Sequence, residues 1–570
     1  MDSNRLSSHR SIDIGLVGHR VWIAIVSALA IFLFAATFRA GLDRGMDHLV
    51  GWQASARVAN AIAGVMTEDT FGQGRYAVSE CAFGLLNTHG FIGNPDVAAR
   101  LGVTVPESLK SGALLDHALE RARRELPMLG EHCKAKTHIR GIGYDDLGYV
   151  DFAKLAFSLF GVHVRALYYL FFAIYGLTLG LALIERRSDL TGSLVLVSVA
   201  ALIYATCYYA GFLDPSSNSV MGNMLDPRFI AVLGLIPTVH VLLMLVNRAS
   251  PTWWRVAIVL FQSGVIFFAI HMRATGVWLA TTIILAALVV GLFSARTLKR
   301  ASASWMAVAV RSVAGCWPAW TAVAVIFAGM FVVKMSLHPI YRENGWTTHH
   351  LMWFAVYASL QINPRWVNAG YFAAHENATG DAMPSAAARA YVKEHPEEDR
   401  PENYLGGTGF KLVALERLCR LAFFQFVRRD PWFVFETFVI VKGRLFFKDL
   451  IEQTRLAWSN SGFARRGAFV LALFAIGVIA AARPAALRRL SLFTSVFATG
   501  ATASLAIPLL TIVGEPYTLA EEIMALQITG MLLFSLAVGY STMFVRRTFG
   551  APTAEPAPQY QLGARAQPGS

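Results

Sequence analysis

The chain predicts an all-α integral membrane protein of about ten transmembrane helices with two large extracytoplasmic loops. Three observations carry that prediction. More than half of the 570 residues are hydrophobic and the mean hydropathy is +0.48, too apolar for a chain of this length to close on one soluble core. Apolar runs near the length of a bilayer crossing, about 20 residues, recur along the sequence. Basic residues fall on alternate connections between those runs, as the positive-inside asymmetry requires.

In order, the runs are Val21–Phe38, Ala166–Ile184, Gly192–Leu213, Phe229–Val246, Trp253–Ile270, Ala274–Ala295, Ser312–Val333, Gly467–Ala482, Leu490–Gly514 and Ile523–Val545. They divide the chain into a cytoplasmic N-terminus (1–20), a first span (21–38), a first outer loop (39–165), six spans (166–333), a second outer loop (334–466), three spans (467–547) and a tail (548–570). The tail is rich in Pro, Ala, Gln and Gly and reads as disordered. The first run lacks a small-x-small cleavage pattern before Arg39, so it reads as a retained anchor rather than a signal peptide.

The formal charge of +13 is topological rather than a nucleic-acid footprint. Arg186, Arg187, Arg248, Arg255, Arg296, Lys299, Arg300, Arg483, Arg488, Arg489, Arg546 and Arg547 cluster on connections of one side. Short connections on the other side hold only Arg228 and Arg273, with Asp214, Asp226, Glu515, Glu521 and Glu522. Both termini are therefore expected in the cytoplasm. Forty arginines against ten lysines point to a GC-rich genome and hence to a bacterial inner membrane. Cys207 and Cys316 read as small buried hydrophobes; Cys81 and Cys133 fall in the first outer loop, where a disulfide and two separate thiols are both open.

Within the loops, helical spacing predicts short amphipathic helices at the membrane surface. In the first loop these are Arg75–Leu86 and Asp151–Phe160, the latter with Phe152, Leu155, Ala156 and Leu159 on one face. In the second they are Trp346–Leu360, Leu412–Val427 and Pro431–Leu450, with a polar stretch around Pro384, Pro396 and Pro401 between.

Ionisable residues at the outer ends of spans are the candidates for chemistry. Arg228, Arg273 and Arg342 offer guanidinium forks matched to phosphate, against the plainer alternative of snorkelling to headgroups. His271, His349 and His350 are candidate substrate ligands, against interfacial packing; His240, inside a span near Pro237, reads as a packing residue. The acidic pairs Glu68-Asp69 and Asp145-Asp146 are candidate general bases, or ligands of a divalent cation, the candidate cofactor. Taken alone, such pairs are more often helix caps or solvated loop charges.

The stretch Glu68-Asp69, Arg75-Tyr76-Ala77, Leu85-Leu86-Asn87-Thr88-His89-Gly90-Phe91 and Asn94-Pro95 resembles the first extracytoplasmic loop of the GT-C superfamily of membrane glycosyltransferases, and Gly148-Tyr149, Phe152, Leu155-Ala156-Phe157 and Leu159-Phe160-Gly161 resemble its closing part. The resemblance covers Trp22–Glu185 by motif and the rest by topology. It departs from the pattern in an extra stretch from Asp96 to Arg140 and in Asp145-Asp146 standing where the family often has a Pro-Gly-Tyr-Pro-like turn. It implies a GT-C-like fold and a transferase moving sugar from a polyprenyl-phosphate donor to an extracytoplasmic glycan, lipid or protein acceptor. Asp69 is the best match to the family's loop acid, with Glu68 beside it and Asp145-Asp146 as the alternative. Two further expectations stand beside it. One is an O-antigen ligase or polymerase built on His271-Met272-Arg273 with His349-His350; the other is a non-enzymatic lipid or polysaccharide transporter or scaffold. Expected partners are the lipid-linked donor, membrane lipids and the acceptor, with no nucleic acid.

Overall fold

A computed structural model of the protein describes residues 20–39, 147–161, 165–209, 230–272, 276–300, 304–336, 352–371, 375, 378–380, 382–405, 409–511 and 520–549. The chain is all-helical apart from one two-residue hairpin among these residues. Seven described helices are long and apolar enough to cross a membrane: α1 (Arg20–Arg39), α3 (Arg165–Arg186), α6 (Trp253–Met272), α7 (Val277–Arg300), α9 (Trp317–Ser336), α16 (Phe463–Ala481) and α19 (Ala520–Phe549). The protein is membrane-embedded on that evidence of length and composition.

The remaining three expected spans are not among these seven, and two of them are broken among the described residues. The run 192–213 gives α4 (Leu190–Tyr209). The run 229–246 splits into a 3-10 turn (Ala231–Gly234) and α5 (Leu235–Val246), every residue of which is buried. The run 490–514 breaks at Leu505 into α17 (Pro484–Ser504) and α18 (Ala506–Thr511). Pro508 explains the break, because its ring clashes with the carbonyl four residues earlier. The same effect of Pro318 moves the start of the seventh run from Ser312 to Trp317. The preceding residues form a separate helix, α8 (Trp305–Gly315), and Cys316 is buried in the joint with its thiol donating to the Ala287 carbonyl at 3.5 Å.

Two apolar cores organise the chain. The larger runs through the bundle of α1, α3–α7, α9, α16, α17 and α19, and takes in α2 (Leu147–Phe160). In α2 the buried face is Tyr149, Phe152, Ala153, Ala156 and Phe157, while Leu155 and Leu159 are exposed, so the face expected from the sequence is rotated by about one residue. Spacing alone did not decide it, since Leu and Ala occur on both sides of this helix.

The smaller core belongs to the second long connection. It is built by α10 (Met352–Ala358, continued by a 3-10 turn to Ile362), α11 (Arg365–Asn368), α12 (Ala382–Glu394) and α13 (Leu412–Arg429). A long helix follows, from α14 (Pro431–Phe435) through a π-helical segment (Glu436–Val441) into α15 (Lys442–Asn460). The expected polar stretch around Pro384 is instead α12, which buries Met383, Ala387, Ala388 and Val392 against α13. Glu416 of α13 caps α10, its two oxygens accepting from Trp353 N at 2.7 Å and Phe354 N at 3.0 Å. Gly462, with φ of +75°, turns the chain from α15 into α16, a conformation that favours glycine.

Candidate functional site

At the bundle end where α6 finishes and both long connections attach, α2 lies against the last turns of α6. Contact is close enough that a Cβ on Gly148 would overlap the His271 backbone. Glycine is required here by the approach of two backbones. The fit brings Asp151 of α2 to His271 of α6, with Oδ2 to Nε2 at 2.9 Å and both side chains at most 8% exposed. Asp151 stands in the second turn of its helix and His271 in the last turn of its own. Phe267 stacks on the imidazole with ring centroids 5.8 Å apart, and Phe268 packs on Phe152. A carboxylate bound to one ring nitrogen fixes the tautomer and orientation of the imidazole. Lys154, one turn after Asp151 and also buried, adds a second ionisable group to the same helix.

Of the residues expected from sequence, His271 alone lies within the described residues. Glu68, Asp69, Asp145, Asp146, Arg228, Arg273, Arg342, His349 and His350, with Cys81 and Cys133, lie outside them. Among the described residues no group of three or more His, Cys, Asp or Glu is placed to hold a metal. Asp151 and Lys154 escaped the sequence reading, although a signal existed: two opposite charges three residues apart inside the apolar run LGYVDFAKLAFSLF.

His240 packs inside the bundle, as expected. It lies fully buried at the opposite end of the bundle, Nε2 3.5 Å from Glu185 Oε2. Glu185 also meets Arg255, which donates from Nε at 2.9 Å, and Arg186, whose Nε is 2.6 Å away at an angle that makes an ion pair rather than a hydrogen bond. Asp189 continues the cluster, accepting from Asn247 Nδ2 at 3.0 Å and from Gly192 N at 3.1 Å. A recess of about 50 Å³ opens beside it, lined by Asp189, Gly192, Asn247, Arg489, Leu490 and Phe493. It holds a few waters at most and is at the wrong end to serve Asp151 and His271.

In the smaller core, His375 donates from Nδ1 to the Tyr371 carbonyl at 2.6 Å, which leaves Nε2 to accept from the Tyr357 hydroxyl at 2.9 Å. Burial pushes the His375 pKa down from its ordinary value, and burial pushes the Lys442 amine down to about 6. Both groups bind fewer protons folded than unfolded, so stability falls as pH drops, for His375 as pH falls through the ordinary histidine range and for Lys442 between about pH 10 and pH 6. Thermal unfolding of the purified protein should shift downward from pH 8 to pH 5.5, and Lys442→Met together with His375→Phe should flatten that dependence. An unchanged slope in the double variant would refute the assignment.

No protein-family model matches this chain, and comparison with curated proteins and with solved structures likewise returns no match.

Proposed function

We propose that the chain is a membrane glycosyltransferase of the GT-C kind, moving a sugar from a polyprenyl-phosphate donor to a hydroxyl of an extracytoplasmic acceptor. The reading rests on the Asp151–His271 pair, a carboxylate-oriented imidazole buried at the bundle end where both long connections attach. His271 takes the acceptor's hydroxyl proton while Asp151 stabilises the imidazolium. The acceptor oxygen forms the new bond to the sugar's anomeric carbon as the bond from that carbon to phosphate oxygen breaks, and polyprenyl phosphate leaves. On this reading the Asp151–His271 end faces outward and both termini are cytoplasmic, in the bacterial inner membrane.

Sugar transfer in membranes carrying Asp151→Asn or His271→Gln should fall by about 10²- to 10⁴-fold, the range for loss of a positioned base. Unaltered transfer in both would sink the proposed base. The same histidine serves the second reading, an O-antigen ligase or polymerase. That reading gains if His271→Gln abolishes ligation while Glu68, Asp69, Asp145 and Asp146 are dispensable. A transporter or scaffold remains if the chain changes glycan localisation with no transfer at all.

A further inference from the structure

An imidazole presents two nitrogens, and Asp151 occupies one of those of His271. An ionised carboxylate can only accept, so the ring hydrogen sits on Nε2, 2.9 Å from Asp151 Oδ2. Nδ1 then carries the lone pair, and it makes no hydrogen bond among the described residues. One hydrogen bond does not fix a ring, however. The terminal torsion of a histidine is broad and roughly two-fold, so the imidazole can still swing about the line from Nε2 to Asp151. Phe267, one turn earlier on α6, removes that freedom. Its ring lies 5.8 Å from the imidazole, centroid to centroid, with the two planes 4° apart.

The phenyl ring is itself seated against α9. A Cβ built on Gly329 would come within 2.7 Å of Phe267 Cδ2 and Cε2 and 2.8 Å of Cγ, so the ring occupies space that any other residue at 329 would fill. Gly329 stands inside a regular helix, where alanine suits the backbone better than glycine. What calls for glycine there is the approach of the Phe267 ring. A contact between α9 and α6 is thus passed, through one flat side chain, to the plane of the His271 imidazole.

We propose that Nδ1 of His271 is the nitrogen that takes the acceptor's proton, and that Phe267, seated at Gly329, is the positioning residue that holds it for that task; this rests on the transferase reading of the same site. The acceptor O–H bond breaks, its proton joins the Nδ1 lone pair, and the oxygen's electron pair forms the bond to the anomeric carbon as polyprenyl phosphate leaves. Phe267 touches none of the reacting atoms and acts through the imidazole plane. The full chain, carrying isotope-labelled histidine and reconstituted in lipid, reports the tautomer of neutral His271 by solid-state NMR, its signals identified by their loss in His271→Gln. Sugar transfer is measured on the same samples. Wild type should show one tautomer, with hydrogen on Nε2. Phe267→Ala should give a mixture and lower kcat by about 10- to 100-fold, the range for a small misplacement of a reacting group, with KM within about twofold. Phe267→Tyr, which keeps the flat ring, should retain the single tautomer and most of kcat. Gly329→Ala should reproduce Phe267→Ala, and combining the two should cost nothing more, because the added methyl then meets no ring. The combined variant also decides the matter if Gly329→Ala alone fails to fold. Gly264→Ala, on the same helix as His271 with nothing within 4 Å of its Cβ, should leave both readouts unchanged. Full kcat in Phe267→Ala, or an unchanged single tautomer there, overturns the positioning role. Hydrogen on Nδ1 in wild type overturns the choice of nitrogen, and additive losses in the combined variant overturn the link from Gly329. Tautomers are read without any sugar, so a wild type that shows them as expected but transfers nothing removes the transferase reading and leaves the positioning intact.

Discussion

Glu185→Ala should destabilise the bundle by about 3–5 kcal/mol, the cost of leaving buried charge without its partner. Glu185 is 3% exposed and stands among Arg186, Arg255 and His240, of which Arg186 and His240 are buried as deeply. Removing the carboxylate leaves the Arg186 guanidinium facing an apolar interior, and the remaining acid in reach, Asp189, sits at 3.5 Å from Arg186 Nη1 and already accepts from Asn247 and Gly192. The expected result is a lower midpoint in thermal or SDS-driven unfolding of the purified protein. Replacing the three groups together, Glu185→Leu with Arg186→Met and His240→Leu, should recover most of the loss, because an apolar set of similar volume avoids desolvating charge. If Glu185→Ala unfolds at the wild-type midpoint, the cluster contributes nothing to holding α3, α5 and α6 together.

Gly148→Ala is expected to destabilise as well, by less and for a steric reason. The added methyl would enter the space of the His271 backbone, and backbone cannot turn away as a side chain can. Overpacking a tight contact costs about 1–3 kcal/mol, and here relief requires α2 to move off α6. That movement opens the 2.9 Å contact between Asp151 and His271, so stability and transfer should fall together. Alanine at Gly180, where a Cβ would meet nothing within 4 Å, is the control and should leave both unchanged. Retention of full transfer in Gly148→Ala would show that the two helices are free to separate without consequence for the site.

Much of the bundle was legible in the sequence because hydropathy and length are properties of a segment by itself. Seven of the ten apolar runs are helices long enough to cross a membrane, and α13 and the α14–α15 helix lie where helical spacing placed them. The prolines at positions 318 and 508 were legible too, yet their effect depends on whether a helix is attempted four residues upstream, which hydropathy does not report. The candidate site was legible only in part. His271 stood out as a histidine at the end of a span, while its partner Asp151 looked like one more charge in an amphipathic stretch.

Segment-level chemistry fixed the class of protein, its helical content and the places where it leaves the bundle. Which side of α2 is buried, that Gly148 meets His271, that Glu185 gathers two arginines and His240, and that Lys442 is left without an acceptor were decided by tertiary packing. Apart from the neighbouring Arg186, each joins residues about 55 to 120 positions apart, or depends on an absence of neighbours. No local pattern encodes such a meeting, because the free energy that selects it belongs to the interface between elements and exists only once they are packed.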